Sequence, residues 1–113
     1  MGGDMAYDEG LAQRIREALD EVPGLVEKKM FGGVGFMVQG NMACGVNGSD
    51  LIVRVGPEGY EEALGRPHAK VFDLTGKPMK GWITVAPGGQ ETDEDLADWV
   101  QQGVDFALSL PAK

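Results

Sequence analysis

Polar and apolar positions along this chain change period twice, from helical to alternating and back to helical. Between Asp8 and Val22 the apolar residues Leu11, Ile15, Ala18, Leu19 and Val22 recur on one helical face. Asp8 is placed to cap that helix and Glu9 falls in its first turn, while Pro23-Gly24 ends it. Four strands follow with no room for a helix between them: Val26 to Phe31, Val34 to Gln39, Met42 to Val46 and Leu51 to Val55. Turns are predicted at Gly32-Gly33, Gly40-Asn41 and Asn47-Gly48-Ser49-Asp50. Two glycines in succession suit a tight hairpin, since both can take positive φ without a Cβ clash.

After Gly56 the pattern is helical again, with Pro57 as the first residue of a short helix through Leu64. The stretch from Arg66 to Lys80 has mixed character, with room for a short strand at Lys70 to Asp73. Trp82 to Val85 reads as a strand and Ala86 to Glu91 as a loop. Thr92 then opens the last helix, with Asp95 three residues on as in a capping box. Leu96, Trp99, Val100, Gly103, Val104, Phe106 and Ala107 give it a broad apolar face to lay on the sheet. The order is α-β-β-β-β-α-β-α. Sequential hairpins force antiparallel pairing, so the predicted fold is α+β, a two-layer sandwich with helices on one face of an antiparallel sheet. Residues 7–110 form one domain, and residues 1–6, which have no periodic pattern, are expected to be a flexible tail.

Paired through two-residue turns, Phe31, Val34, Phe36, Val38, Ala43 and Ile52 share one sheet face. Met30, Met37, Met42, Cys44, Val46, Leu51, Val53 and Val55 share the other. Both faces are then apolar, and helices on one side cannot cover both. This predicts an interface with a second copy or another protein, with Phe31, Val34, Phe36, Val38 and Ile52 as its candidate residues. A bulge at Gly33 or Gly40, or the segment from Arg66 to Gly81 folded across the sheet, would remove the need for one.

Composition narrows the chemistry. One cysteine, Cys44, excludes an internal disulfide or a cysteine-rich zinc site, and its apolar strand suggests an inert core thiol. The single His68 excludes a multi-histidine metal centre. Gly32, Gly33 and Gly35 lack the spacing of a phosphate loop and lead into a strand rather than a helix. No catalytic constellation, metal or cofactor is expected; a small enzyme centred on His68 or Cys44 is a further alternative, which would need a pocket joining either residue to an acid or base. No apolar run approaches the roughly 18 residues of a membrane span, and the N-terminus lacks the pattern of a secretory signal, so the expected compartment is the cytoplasm.

The net charge of −8 opposes general attraction to nucleic acid. Its distribution is uneven, however. Arg66, Lys70, Lys77 and Lys80 face only Asp73 within their segment, while the last helix region carries Glu91, Asp93, Glu94, Asp95, Asp98 and Asp105. Arg66, Lys70, Lys77 and Lys80, with the large amphipathic Trp82, make a candidate site for a protein partner or an anion. Use of the same basic segment to bind nucleic acid is the alternative.

Three segments together carry a resemblance: Lys29-Met30-Phe31-Gly32-Gly33-Val34-Gly35-Phe36, Arg54-Val55-Gly56-Pro57-Glu58 with Tyr60, and Gly76-Lys77-Pro78-Met79-Lys80-Gly81-Trp82. In identity, order and spacing they resemble the N-terminal domain of the TfoX/Sxy family, from about Met5 to Leu108. The resemblance implies a fold similar to secretion chaperones. It also implies a noncatalytic regulatory or protein-interaction role, since some members regulate natural competence together with the cyclic-AMP receptor protein. Those regulators carry a second, helical domain with no counterpart before Lys113, so this chain is expected to be a stand-alone N-terminal domain. The resemblance brings no catalytic residue with it.

Overall fold

A computed structural model describes residues 7–30, 32–73 and 76–112. Three helices, α1 (Glu9–Ala18), α2 (Tyr60–Leu64) and α3 (Asp93–Leu108), accompany six strands. These are β1 (Leu25–Met30), β2 (Gly33–Val38), β3 (Asn41–Asn47), β4 (Asp50–Arg54), β5 (Ala69–Val71) and β6 (Trp82–Val85). All sheet pairings are antiparallel, in the order β1-β2-β3-β4-β6-β5. The predicted α+β class and element order are therefore present, with the short strand after Arg66 realised as β5. The expected tail, residues 1–6, lies outside the described residues. None of the described helices is long and apolar enough to cross a membrane.

Local chemistry accounts for the ends of the long helices. The Asp8 carboxylate accepts the Leu11 N–H at 3.1 Å, and the Thr92 hydroxyl accepts the Asp95 N–H at 3.1 Å. Helix α1 stops at Ala18, short of Pro23, and buries Leu11, Ala12, Ile15 and Leu19 while Ala18 is exposed. Helix α2 starts at Tyr60 rather than Pro57. The Val55 and Gly56 N–H groups both donate to the Gly81 carbonyl, which bends the chain against β6 before it can coil.

The hairpin turns sit one residue earlier than the glycine pairs suggest. Strand β1 ends at Met30 and β2 begins at Gly33, with Gly32 at φ 76. Between β2 and β3, Gln39 (φ 53) and Gly40 (φ 85) form the turn, both left-handed as a type I′ hairpin requires. The larger departure lies within β3. Phe36 pairs with Cys44 but Met37 pairs with Met42, leaving Ala43 as an extra residue. A bulge of this kind reverses the alternation on one side of it.

That reversal corrects the face assignment. Cys44, Val46, Leu51 and Val53 turn to the face of Val34 and Phe36, where Ile83 and Val85 join them. Helices α1 and α3 close this face, with Leu11, Ile15, Leu96, Trp99, Val100 and Val104 in the same core. Val34, Phe36 and Val38, expected at an interface with another chain, are instead covered by the chain's own helices. Phe31 lies outside the described residues. Arg16 ties α1 to the edge strand through Glu27 and also binds Glu9, which holds the Glu9 carboxyl below its usual range.

The opposite face carries no helix. Gly35, Gly45, Ile52, Thr84 and Lys70 form one row across it, beside Met37, Met42, Arg54 and Trp82. Ile52 does lie here, yet it is only 5% exposed. It floors a cleft of about 260 Å³ walled by Lys70, Phe72, Asp50 and Thr84, and the segment after Arg66 borders this cleft as the edge strand β5 that extends the sheet.

Candidate functional site

Two of the three segments that carry the family resemblance meet in space. Strand β4 ends at Arg54 and runs on into Val55-Gly56-Pro57, and β6 begins at Trp82, just after Gly81. Arg54 pairs directly with Trp82, and the Gly81 carbonyl accepts from Val55 at 2.8 Å and Gly56 at 3.0 Å. Both glycines are left-handed, at φ 84 and φ 94. A Cβ on Gly56 would strike the Phe106 ring. The close approach of the two strands at this corner depends on those positions.

Around that junction the side chains form an aromatic corner. The Arg54 guanidinium carbon lies 5.1 Å from the centroid of Trp82 and 5.3 Å from that of Phe106 on the last turns of α3. Phe72, just past β5, packs against Trp82 at 6.2 Å between centroids. A guanidinium over aromatic faces gains from the ring quadrupole and keeps its N–H groups at its edge. Beside Phe106 a cleft of about 450 Å³ opens between Val55, Gly56, Pro57, Glu58, Gly59 and Ser109. Its walls are largely backbone and apolar carbon, and it brings no acid and base together.

The proposed basic segment is divided by the fold. Arg66 belongs to the helical layer, where its guanidinium stacks 3.6 Å from the Trp99 centroid. It also pairs with Asp98 at 2.9 Å and reaches Gln102 at 3.4 Å. Lys70 points from the helix-free face of β5 into the Ile52 cleft. Lys77 and Lys80 are exposed in the connection from β5 to β6, which folds back on itself through the Met79 N–H to the Phe72 carbonyl. Trp82 is half-buried on the helix-free face. The structure thus groups Lys70, Lys77, Lys80 and Trp82 near the same sheet end and sets Arg66 apart. Arg54, Phe72 and Phe106 are not among the candidate site residues drawn from the sequence, because their meeting depends on pairing β4 with β6 and on docking α3.

Charge follows the layers. Helices and their caps carry Asp8, Glu9, Glu17, Glu61, Glu62, Asp93, Glu94, Asp95, Asp98 and Asp105, opposed by Arg14 and Arg16 on α1. The helix-free side carries Lys28, Arg54 and Lys70, opposed by Asp50 and Asp73.

The two remaining reactive residues have structural surroundings. Cys44 is fully buried, and burial pushes its thiol up to about 12. His68 is an exposed residue at φ 68, with its ring against Gly88 and its carbonyl accepting the Ala86 N–H. Among the described residues no group of three His, Cys, Asp or Glu side chains is arranged to hold a metal ion.

No curated protein matches the sequence. The family model of the TfoX N-terminal domain matches residues 17–107, which include β1 to β6, α2 and the Arg54–Trp82 corner, and the chain belongs to that family.

Proposed function

We propose that this protein is a noncatalytic regulatory or protein-interaction module of the TfoX kind, working in the cytoplasm and using the helix-free side of its sheet. The carrying observation is the division between layers. One face of the sheet is sealed by α1 and α3. The other exposes Val26 at 53% on the β1 edge, while at the opposite end Met79, 38% exposed in the connection from β5 to β6, lies beside Lys77 and Lys80. Apolar surface rimmed by charge is the usual composition of a protein contact. A role in competence regulation belongs to the same reading and is supported by family membership.

The test is affinity capture from lysate of the source cell, comparing the natural chain with a Lys77→Glu, Lys80→Glu double variant of unchanged circular dichroism. A protein retained by the first and lost by the second is the expected result. Capture that nuclease or salt abolishes would replace this reading with nucleic-acid binding. The occupied face of Trp82 favours the protein reading, because single-stranded nucleic acid needs free aromatic faces on which to stack.

A further inference from the structure

The side chain that neither the core nor an ion pair accounts for is Arg54. It ends β4 on the helix-free face, and its guanidinium lies over Trp82 and Phe106. Among the described residues it makes no salt bridge and donates no hydrogen bond to a protein acceptor. Among the described residues no buried side-chain nitrogen or oxygen lacks a partner, so the free Arg54 N–H groups face water. The other three arginines differ: Arg14 is held by Asp93, Arg16 by Glu9 and Glu27, and Arg66 by Asp98. Arg54 alone of the four is fixed by ring faces with its donor fork unused.

We propose that Arg54 is a preorganised fork for a carboxylate, and that the carboxylate belongs to an acidic segment of a partner polypeptide docking at the Arg54–Trp82–Phe106 corner. The proposal rests on the interaction-module reading and names the chemistry of its partner. Side-chain entropy is the main cost of ordering an arginine, and the two rings have already met it. The planar fork matches a carboxylate with two parallel hydrogen bonds. Charge complementarity favours an acidic polypeptide, since Lys80 precedes the Gly81 that braces β4, Lys77 lies in the same connection, and Lys28 and Lys70 share the sheet face. The acids nearby are Glu58 in the adjoining cleft and Asp50 and Asp73 around the Ile52 cleft. Exposed Met79, between Lys77 and Lys80, gives an apolar residue of such a segment something to meet. Arg54 lies over the Trp82 ring and Phe72 packs beside it at a tilt, so a base would have to displace the guanidinium to stack on that face.

The experiment is a nitrogen-15 NMR titration of the full chain with a blocked glutamate-leucine hexapeptide and its glutamine-leucine counterpart. The readouts are the Arg54 Nε–H and the Trp82 indole N–H. Saturable shifts of both with the glutamate peptide, absent with the glutamine peptide, are expected. Arg54→Lys keeps the charge but not the fork, and should weaken binding about tenfold with the amide spectrum otherwise preserved. Equal response to both peptides, no saturable shift, or unchanged affinity in Arg54→Lys would overturn the proposal. So would a single-stranded oligonucleotide shifting the same two resonances more strongly than the peptide. Glutamate-specific binding that moves Lys77 and Lys80 amides while Arg54 stays silent would overturn the fork yet leave the interaction module standing. If Arg54 only complements the negative C-terminal end of α3, Arg54→Lys will change the melting temperature and not the affinity, which also refutes it.

Discussion

Gly103 on α3 faces the bulge in β3, and Gly103→Ala tests whether that packing is real. A Cβ built there would fall inside contact distance of the Ala43 carbonyl oxygen and lie 3.0 Å from its carbonyl carbon. Both obstacles are backbone, so no rotamer change relieves them; the helix must lift from the sheet. Overpacking of this kind costs about 1–3 kcal/mol. Against it stands the helix-propensity gain of Gly→Ala, about 1 kcal/mol. Because both obstacles are backbone, the cost falls in the upper part of that range, about 2–3 kcal/mol, and the net expectation is a loss of about 1 to 2 kcal/mol. With a typical unfolding entropy, each kcal/mol moves the melting temperature of a chain this size by about 4 °C. Thermal unfolding followed by circular dichroism should therefore show a drop of about 4–8 °C. The two contributions have opposite sign, which makes the outcome decisive. Propensity alone would raise the melting temperature by about 4 °C. An unchanged or higher value would mean that α3 does not rest on Ala43. Adding Ala43→Gly should not rescue the variant, because the obstacle is the carbonyl and not the methyl group.

Three further outcomes follow from other parts of the fold. Arg66→Ala removes the Trp99 stack and the Asp98 pair, and should lower stability by about 1–2 kcal/mol in a urea titration, with lysine restoring only part of it. Loss of partner capture without loss of stability would instead make Arg66 a binding residue. Gln90→Met removes the amide that donates to the Ser49 and Val85 carbonyls, and should cost about 1–3 kcal/mol by the same assay. Cys44 should resist a thiol reagent at pH 8 until the protein unfolds. Its folded value of about 12 lies above its reference value of 9.0, so the stabilising contribution is whole below pH 9 and fades as pH rises from 9 towards 12. Alkaline unfolding profiles of the natural chain and Cys44→Ala that superimpose across that range would refute this.

What could be read directly from the chain is what depends on near neighbours. Asp8 and Thr92 announce their helices because a cap is a contact between residues three apart, and β6 reads correctly because alternation within a strand is local. The three segments of family resemblance were likewise legible, being short runs in a fixed order. Tertiary structure decided the rest. One extra residue at Ala43 turned two half-apolar faces into a sealed core face and a glycine-rich, cation-bearing one. Nothing in the run Met42-Ala43-Cys44 marks it, because a bulge is chosen by what α3 and β2 require together. Arg66 shares a basic segment with Lys70 but is claimed by α3, more than thirty residues away, because an aromatic face and a carboxylate wait there. Arg54 was visible as part of a motif, but its aromatic setting exists only once β6 pairs with β4 and α3 docks beside them, since ring faces from distant elements position a guanidinium only after the chain has folded.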